Sequence, residues 1–322
     1  MKVAVIGSGA FGFAIALSLY NNGCDVRVWC SSSEKADALN NKKQEIIKGV
    51  SIPDGMMFTS SYKEAVDGVK MIYLMTSAKY IGNCVKEISK FANKDAVYCI
   101  GSKGIEQGSC EFVHEVFKKN SPSSNYAVIS GPSFAVDLAN KEPIGFSLAS
   151  HNNYTRKMIE ESLASDNVKL RPSSDMIGVE LCGAIKNVIA VAAGIITGLG
   201  YNESTRSFLI VESMHDIKWL IKVLGGRKKT ILSFAGIGDL LLTCTSIKSR
   251  NYSYGILLGK KDFEGAKKYL EETTVEGYYT LKSISTLLNR KKIKMPVISL
   301  IYDIVMKNED PMKLASFLIN KK

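Results

Sequence analysis

Along the first half of the chain, short apolar runs rich in β-branched residues alternate with stretches in which apolar positions return every three or four residues. Runs too brief for a helix and bounded by glycine or polar residues read as buried strands: Lys2–Ile6, Asp25–Trp29, Lys70–Met75, Ala96–Ile100, Tyr126–Ile129, Ile144–Ala149 and a short one near Val168–Leu170. Between them, Phe11–Asn22, Lys79–Phe91 and Glu106–Lys118 carry the helical period. The stretch Gln44–Ser61, with Pro53, Asp54 and Gly55, follows neither period and reads as loop or a small irregular insertion. Strand and helix in this alternation predict a doubly wound parallel sheet.

Past Pro172 the pattern changes. Asp175–Gly198 and Ser204–Leu224 are long helical stretches, and no convincing strand follows. Ala266–Glu272, Tyr278–Asn289, Val297–Met306 and Met312–Ile319 read as further helices, with Gly236-Ile237-Gly238 and Lys248–Asn251 as loop or turn segments. An α/β domain over residues 1–172 is therefore expected to precede an all-α domain over residues 173–322. Two domains also fit a length of 322 residues. The join near Pro172 is too apolar for a flexible linker.

Gly7-Ser8-Gly9-Ala10-Phe11-Gly12 directly follows the first strand and opens a helix, the context in which a G-x-G-x-x-G pattern binds a dinucleotide. Gly7 permits the tight turn, Gly9 lets a diphosphate approach the backbone, and Gly12 lets helix and strand pack closely, with the diphosphate at the helix N-terminus. The α/β domain is thus Rossmann-type. At the end of the second strand this fold carries an acid that accepts from the adenosine ribose 2′-hydroxyl. Here Val28-Trp29-Cys30-Ser31-Ser32-Ser33 supplies none, and Glu34 falls in the following helix. A 2′-phosphate meets no repulsion but no arginine either, so NAD and NADP both stay open.

Charge narrows the partner class. The chain holds 42 basic and 31 acidic residues. Residues 1–190 carry 21 and 19 of them and residues 191–322 carry 21 and 12, so the excess lies in the helical part and favours an anionic ligand there. Runs such as Arg227-Lys228-Lys229 and Arg290-Lys291-Lys292 admit a basic nucleic-acid-binding redox sensor, but they are short, lack stacking aromatics and read as solvated faces. The seven cysteines are odd in number and form no C-x-x-C pair, which points to neither a disulfide framework nor a zinc site and fits a reducing cytosol. Gly7, Gly9 and Gly12 interrupt the apolar N-terminal stretch, so no signal peptide is expected. The uncharged apolar run Asn187–Asn202 is shorter than a bilayer span.

Three further segments carry candidate chemistry. Lys186 lies in Gly178–Ile189, a helical segment otherwise built for burial; such a lysine is either snorkelling on a solvated face or functional. Lys103 in Ser102-Lys103-Gly104, and Gly131-Pro132-Ser133-Phe134-Ala135, each follow the C-terminal end of a strand, where doubly wound folds place ligands. Asp239 follows Gly236-Ile237-Gly238 and reads as a helix cap or a site residue. Ser249-Arg250-Asn251 reads as a polar turn or as a fork of phosphate donors. His114, His151 and His215 accompany no ligand loop and read as structural.

Gly7–Gly12, Ser102-Lys103-Gly104, Ser130-Gly131-Pro132-Ser133, Gly178–Asn187 and Gly236–Asn251, in this order and spacing, resemble the bacterial NAD(P)-dependent glycerol-3-phosphate dehydrogenase family. Val275-Glu276-Gly277 and Met295-Pro296 extend the resemblance over essentially the whole chain. It implies reversible hydride transfer from NAD(P)H to dihydroxyacetone phosphate, giving sn-glycerol 3-phosphate for glycerophospholipid synthesis, by a cytoplasmic homodimer. It further implies that Lys186 is the catalytic lysine with Asp239 beside it, and that Lys103, Gly131, Ser133, Lys186, Asp239, Ser249, Arg250 and Asn251 line the substrate site. Gly7, Gly9, Ala10, Phe11, Gly12, Lys103, Ala135, Arg250 and Glu276 match cofactor positions. No metal is implied.

After Gly200 the chain departs from the family: Asn202-Glu203-Ser204-Thr205-Arg206 replaces an acidic-Asn-x-Lys string, and Val211-Glu212-Ser213 replaces Thr-Arg-Gly. Arg206 can stand in for the lysine; Glu212 reverses a charge. A β-hydroxyacid-type dehydrogenase shares the glycine loop and a lysine on the first long helix, but the Ser249-Arg250-Asn251 fork argues against it.

Overall fold

The structure, a computed structural model, describes residues Met1–Lys321. The chain divides into two compact units: residues 1–103 with 113–176, and residues 104–112 with 177–322.

The first unit is built on an eight-stranded sheet, β1 (Lys2–Ile6), β2 (Asp25–Trp29), β3 (Met57–Thr59), β4 (Met71–Leu74), β5 (Val97–Ile100), β6 (Tyr126–Ser130), β7 (Ile144–Ala149) and β8 (Val168–Ser173), in the order β3-β2-β1-β4-β5-β6-β7-β8. Strand order reverses between β1 and β4, so the crevice beyond their C-terminal ends is the ligand position of this architecture. β1, β4 and β5 are buried almost throughout, which is why they read as unbroken apolar runs. Seven helices connect them: α1 (Ala10–Asn21), α2 (Ser33–Asn40), α3 (Tyr62–Val66), α4 (Ile81–Ile88), α5 (Val113–Asn120), α6 (Ala135–Ala139) and α7 (Asn153–Leu163). One buried hydrogen bond, 2.6 Å between the hydroxyls of Tyr73 and Ser162, ties β4 to α7.

Three expectations need correction here. The supposed insertion Gln44–Ser61 contains β3, whose Arg27↔Met57 to Trp29↔Thr59 register extends the sheet at its edge; three residues are too few to show a period. The helix expected over Glu106–Lys118 starts only at Val113. Before it the chain folds back in an Ile105↔Phe112 antiparallel bridge, with Cys110 at φ +58° and the Glu106 carboxylate accepting from the Ser109 N–H at 2.6 Å. Finally, the sheet is not wholly parallel: β7 runs antiparallel to β6, because the connection between them holds only the five-residue α6, which packs on α1, and makes no crossover.

The second unit contains α8 (Met176–Gly198), α9 (Glu203–Val223), α10 (Asp239–Thr245), α11 (Arg250–Gly259), α12 (Phe263–Glu272), α13 (Glu276–Arg290), α14 (Pro296–Lys307) and α15 (Met312–Asn320). At 23 residues α8 is long and apolar enough to cross a membrane, but its apolar window is buried throughout within the protein. α8 and α11 touch backbone to backbone. A Cβ on Gly194 would lie 2.1 Å from the Tyr252 carbonyl oxygen, one on Gly198 2.3 Å from that of Ile256, one on Gly255 2.1 Å from that of Val191 and one on Gly259 2.3 Å from that of Ile195. Two small-x-x-x-small stripes thus face each other. The turn expected over Lys248–Asn251 is half helix, since Ser249 caps α11 and Arg250 is its first residue.

Candidate active site

In the first unit the glycine turn is shaped by contact. Gly7 holds φ at +126°, where a Cβ would stand 2.7 Å from the Met75 carbonyl oxygen, and a Cβ on Gly12 would meet the Gly7 carbonyl oxygen at 2.0 Å. Gly9 differs: a Cβ there meets nothing within 4 Å. Its smallness serves open space, a cradle that a diphosphate fits. The N-terminus of α1 has no side-chain cap and no acid in its first turn, so the N–H groups at Ala10 and Phe11 keep the positive end of the helix bare. Both observations fit a dinucleotide.

Lys103 follows β5. Its Nζ donates to the Gly131 carbonyl at 3.2 Å and lies 5.6 Å from the centre of the Phe11 ring, so the glycine turn and the ends of β5 and β6 share one cation. Ser133 Oγ donates to the same carbonyl at 3.2 Å. Ser102, before the lysine, anchors the turn by donating to the Thr76 carbonyl at 2.6 Å. Ala135 is the first residue of α6. Phe11, Lys103, Gly131 and Ser133 are thereby brought together at the C-terminal strand ends. Ser130 Oγ, buried at the end of β6, has no hydrogen-bond partner among the described residues.

In the second unit Lys186 is not a snorkelling side chain. It is 8% exposed, and its Nζ donates to Asp239 Oδ1 at 2.5 Å and to Thr243 Oγ1 at 3.0 Å. Asp239 and Thr243 stand one turn apart on α10, and the threonine hydroxyl donates back to the Asp239 carbonyl at 2.6 Å. Gly238 occupies the cap position, so the fully buried Asp239 carboxylate is left for the lysine. The kinked turn Phe234–Gly238, capped by Ser233, delivers α10 in this orientation. Burial is the main cause that pushes the adjacent Cys244 thiol far up; Lys186 opposes it.

Ser249 Oγ accepts from the Tyr252 N–H at 3.3 Å and is therefore a helix cap. Arg250 is exposed and has no ion-pair or hydrogen-bond partner among the described residues. Asn251 is buried and engaged on both ends of its amide: Nδ2 donates to Asn187 Oδ1 at 3.0 Å and Oδ1 accepts from the Gly277 N–H at 2.8 Å. A Cβ on Gly277 would stand 2.5 Å from the Asn187 carbonyl oxygen. This explains Val275-Glu276-Gly277 physically: the glycine lets the start of α13, with Glu276 as its first residue, close on α8. What Asn251 has left for an anion is its second amide hydrogen and its N–H in the first turn of α11.

Comparison with known proteins decides the family. A family model described as the N-terminus of NAD-dependent glycerol-3-phosphate dehydrogenase matches residues 2–156, and one described as its C-terminus matches residues 175–316. The chain belongs to the NAD-dependent glycerol-3-phosphate dehydrogenase family. It is 32% identical over 313 residues to the glycerol-3-phosphate dehydrogenase [NAD(P)+] of Staphylococcus epidermidis, covering 95% of this chain and 94% of that one. To the protein of the same name from Bacillus cereus AH187 it is 31% identical over 311 residues, with 94% and 91% covered. The crystal structure of glycerol-3-phosphate dehydrogenase from Coxiella burnetii superposes with a TM-score of 0.92 at 30% identity, covering 99% of each chain.

Within this family member, sequence reading missed Thr243 and Asn187. Their signals were present, an i+4 hydroxyl after Asp239 and an amide next to Lys186, but only tertiary contact gives either a task. The two departures are also accounted for. Arg206 donates to the Tyr252 hydroxyl at 2.8 Å, and Thr197 shares a 2.8 Å hydrogen bond with the same hydroxyl, which braces the first turn of α11. Glu212 faces Lys321 at 3.1 Å, and Asp216 faces the same ammonium at 2.9 Å, so the reversed charge is neutralised from the C-terminal end of the chain.

Proposed function

We propose that the protein is an oxidoreductase that reversibly reduces dihydroxyacetone phosphate to sn-glycerol 3-phosphate with NAD(P)H. The observation that carries this reading is the buried Lys186–Asp239–Thr243 cluster in the same helical unit as the unpartnered Arg250. Family membership and the activity for which the relatives are named support it.

The bound dinucleotide supplies or takes the hydride at C2. The Gly7–Gly12 turn and the bare N-terminus of α1 would hold its diphosphate, with Lys103, Ala135 and Glu276 assigned to the same molecule. Reduction leaves an alkoxide at C2. The Lys186 ammonium stabilises that charge and donates the proton, while Asp239 and Thr243 fix where the ammonium points. In the oxidation direction the same amine accepts the hydroxyl proton. Arg250, the first-turn N–H groups of α11 and the Lys103, Gly131 and Ser133 group are assigned to the substrate. The phosphate is a handle remote from C2, and binding it orients the reacting carbon.

Mixing the purified protein with NADPH or NADH and dihydroxyacetone phosphate should consume the reduced cofactor, followed by absorbance. Lys186→Ala should lower turnover about a hundredfold or more with dinucleotide binding retained, whereas Arg250→Ala should mainly raise KM for the phosphorylated substrate. Absence of oxidation with either cofactor overturns the reading. Turnover of a β-hydroxyacid in its place assigns the related dehydrogenase class.

The dinucleotide role is proposed for residues 1–172 and the substrate and catalytic role for 173–322. Family resemblance further supports a homodimer that supplies glycerophospholipid synthesis. The free, uniformly buried cysteines support a reducing, cytoplasmic setting.

A further inference from the structure

The acid that normally sets dinucleotide preference is missing from this chain, and the structure shows what stands in its place. β2 ends at Trp29, and Ser31, Ser32 and Ser33 lead into α2. Ser32 is the cap of that helix, its Oγ accepting from the Lys35 N–H at 3.3 Å. Glu34, the nearest acid, is held below its usual range by its own backbone N–H and by the Ser32 hydroxyl, so its carboxylate is engaged at the helix start. Lys35 turns back instead. Its Nζ donates to the carbonyl of Ser8, inside the glycine turn, at 3.1 Å, and it has no carboxylate partner among the described residues. The end of β2 and the glycine turn are the two segments that flank the adenosine ribose in this fold. Lys35 bridges them.

We propose that Lys35, with the exposed hydroxyls of Ser31 and Ser33, binds the 2′-phosphate of NADPH, so that the phosphorylated dinucleotide is this protein's preferred reductant. An ammonium flanked by neutral hydroxyl donors is the chemistry a phosphate dianion needs, and an arginine in this neighbourhood does the same in other Rossmann domains. The inference deepens the dehydrogenase reading, but its binding arm does not depend on that reading.

The test is a calorimetric titration of the whole protein with adenosine 2′,5′-bisphosphate and, separately, with 5′-AMP, which differ only in the 2′-phosphate. The bisphosphate should bind at least about tenfold tighter, the size of one charge-assisted contact. Lys35→Ala should abolish most of that difference and leave 5′-AMP within about twofold, while Lys35→Arg should keep it. The ratio of kcat/KM for NADPH to that for NADH should fall in parallel. Equal binding of the two nucleotides by the wild type overturns the proposal, as does a Lys35→Ala variant that weakens both alike. Tighter binding of 5′-AMP, lost in Glu34→Gln, also overturns it by assigning the ribose diol to Glu34. Discrimination between the nucleotides without any oxidation by dihydroxyacetone phosphate would sink the dehydrogenase reading alone.

Discussion

An ammonium in an apolar helix is costly unless something faces it, and Asp239 and Thr243 face Lys186. The same geometry that fixes the Lys186 ammonium therefore also holds α8 and α10 together. Asp239→Ala should strand a buried charge and lower unfolding stability by about 3 to 5 kcal/mol, read from urea midpoints. Lys186→Ala/Asp239→Ala should lose clearly less than the sum of the two single variants; strict additivity would show that the pair is not coupled. At this scale the sequence named Lys186, Asp239 and Arg250, but only the family resemblance set Asp239 beside Lys186. Nothing between positions 186 and 239 says that they meet, and Asn251 read as a phosphate ligand although its amide is mostly occupied by Asn187 and Gly277.

Elements were legible where burial was complete. α1 and α8 read as long apolar helical stretches and the central strands as unbroken apolar runs, because little of their surface meets water. β3 and the fold-back at Ile105–Phe112 were not, since one is three residues long and the other is fixed by a left-handed Cys110 and a carboxylate cap. The glycines of α8 read only as interruptions in an apolar run; their partner stripe on α11 gives them meaning. Gly255→Ala should force the two helices apart, since the added methyl would sit 2.1 Å from the Val191 carbonyl oxygen. The expected result is destabilisation by about 1 to 3 kcal/mol, the usual cost of overpacking. KM for the phosphorylated substrate should rise with it, because Arg250 starts the displaced helix. An unchanged urea midpoint would show that the contact yields freely.

For the molecule as a whole, the passage from α/β to helical structure was legible in the change of period along the chain, while the grouping of residues 104–112 with the helical unit was not, because it depends on contacts far apart in sequence. Burial also sets the response to alkali. Cys24, Cys30, Cys84, Cys99 and Cys244 all have thiols raised above the ordinary value of 9.0, chiefly by burial, and Tyr98 is pushed up to about 12 for the same reason. The unfolded chain releases these protons first. Stability is therefore fully present below about pH 9 and is lost as pH rises above it, by up to about 1.4 kcal/mol per pH unit for each fully protected group. Urea midpoints should be level from about pH 7 to 8.5 and fall steeply beyond pH 9.5. A flat profile to pH 11 would show that the thiols titrate in the folded state.

The four-glycine contact between α8 and α11 bears finally on how this protein can change over generations. A side-chain interface can drift by trading one volume for another, but a contact between main chains has nothing to trade. Variation in the helical unit must therefore enter away from this contact. Any side chain at positions 194, 198, 255 or 259 should be selected against, whatever changes around them.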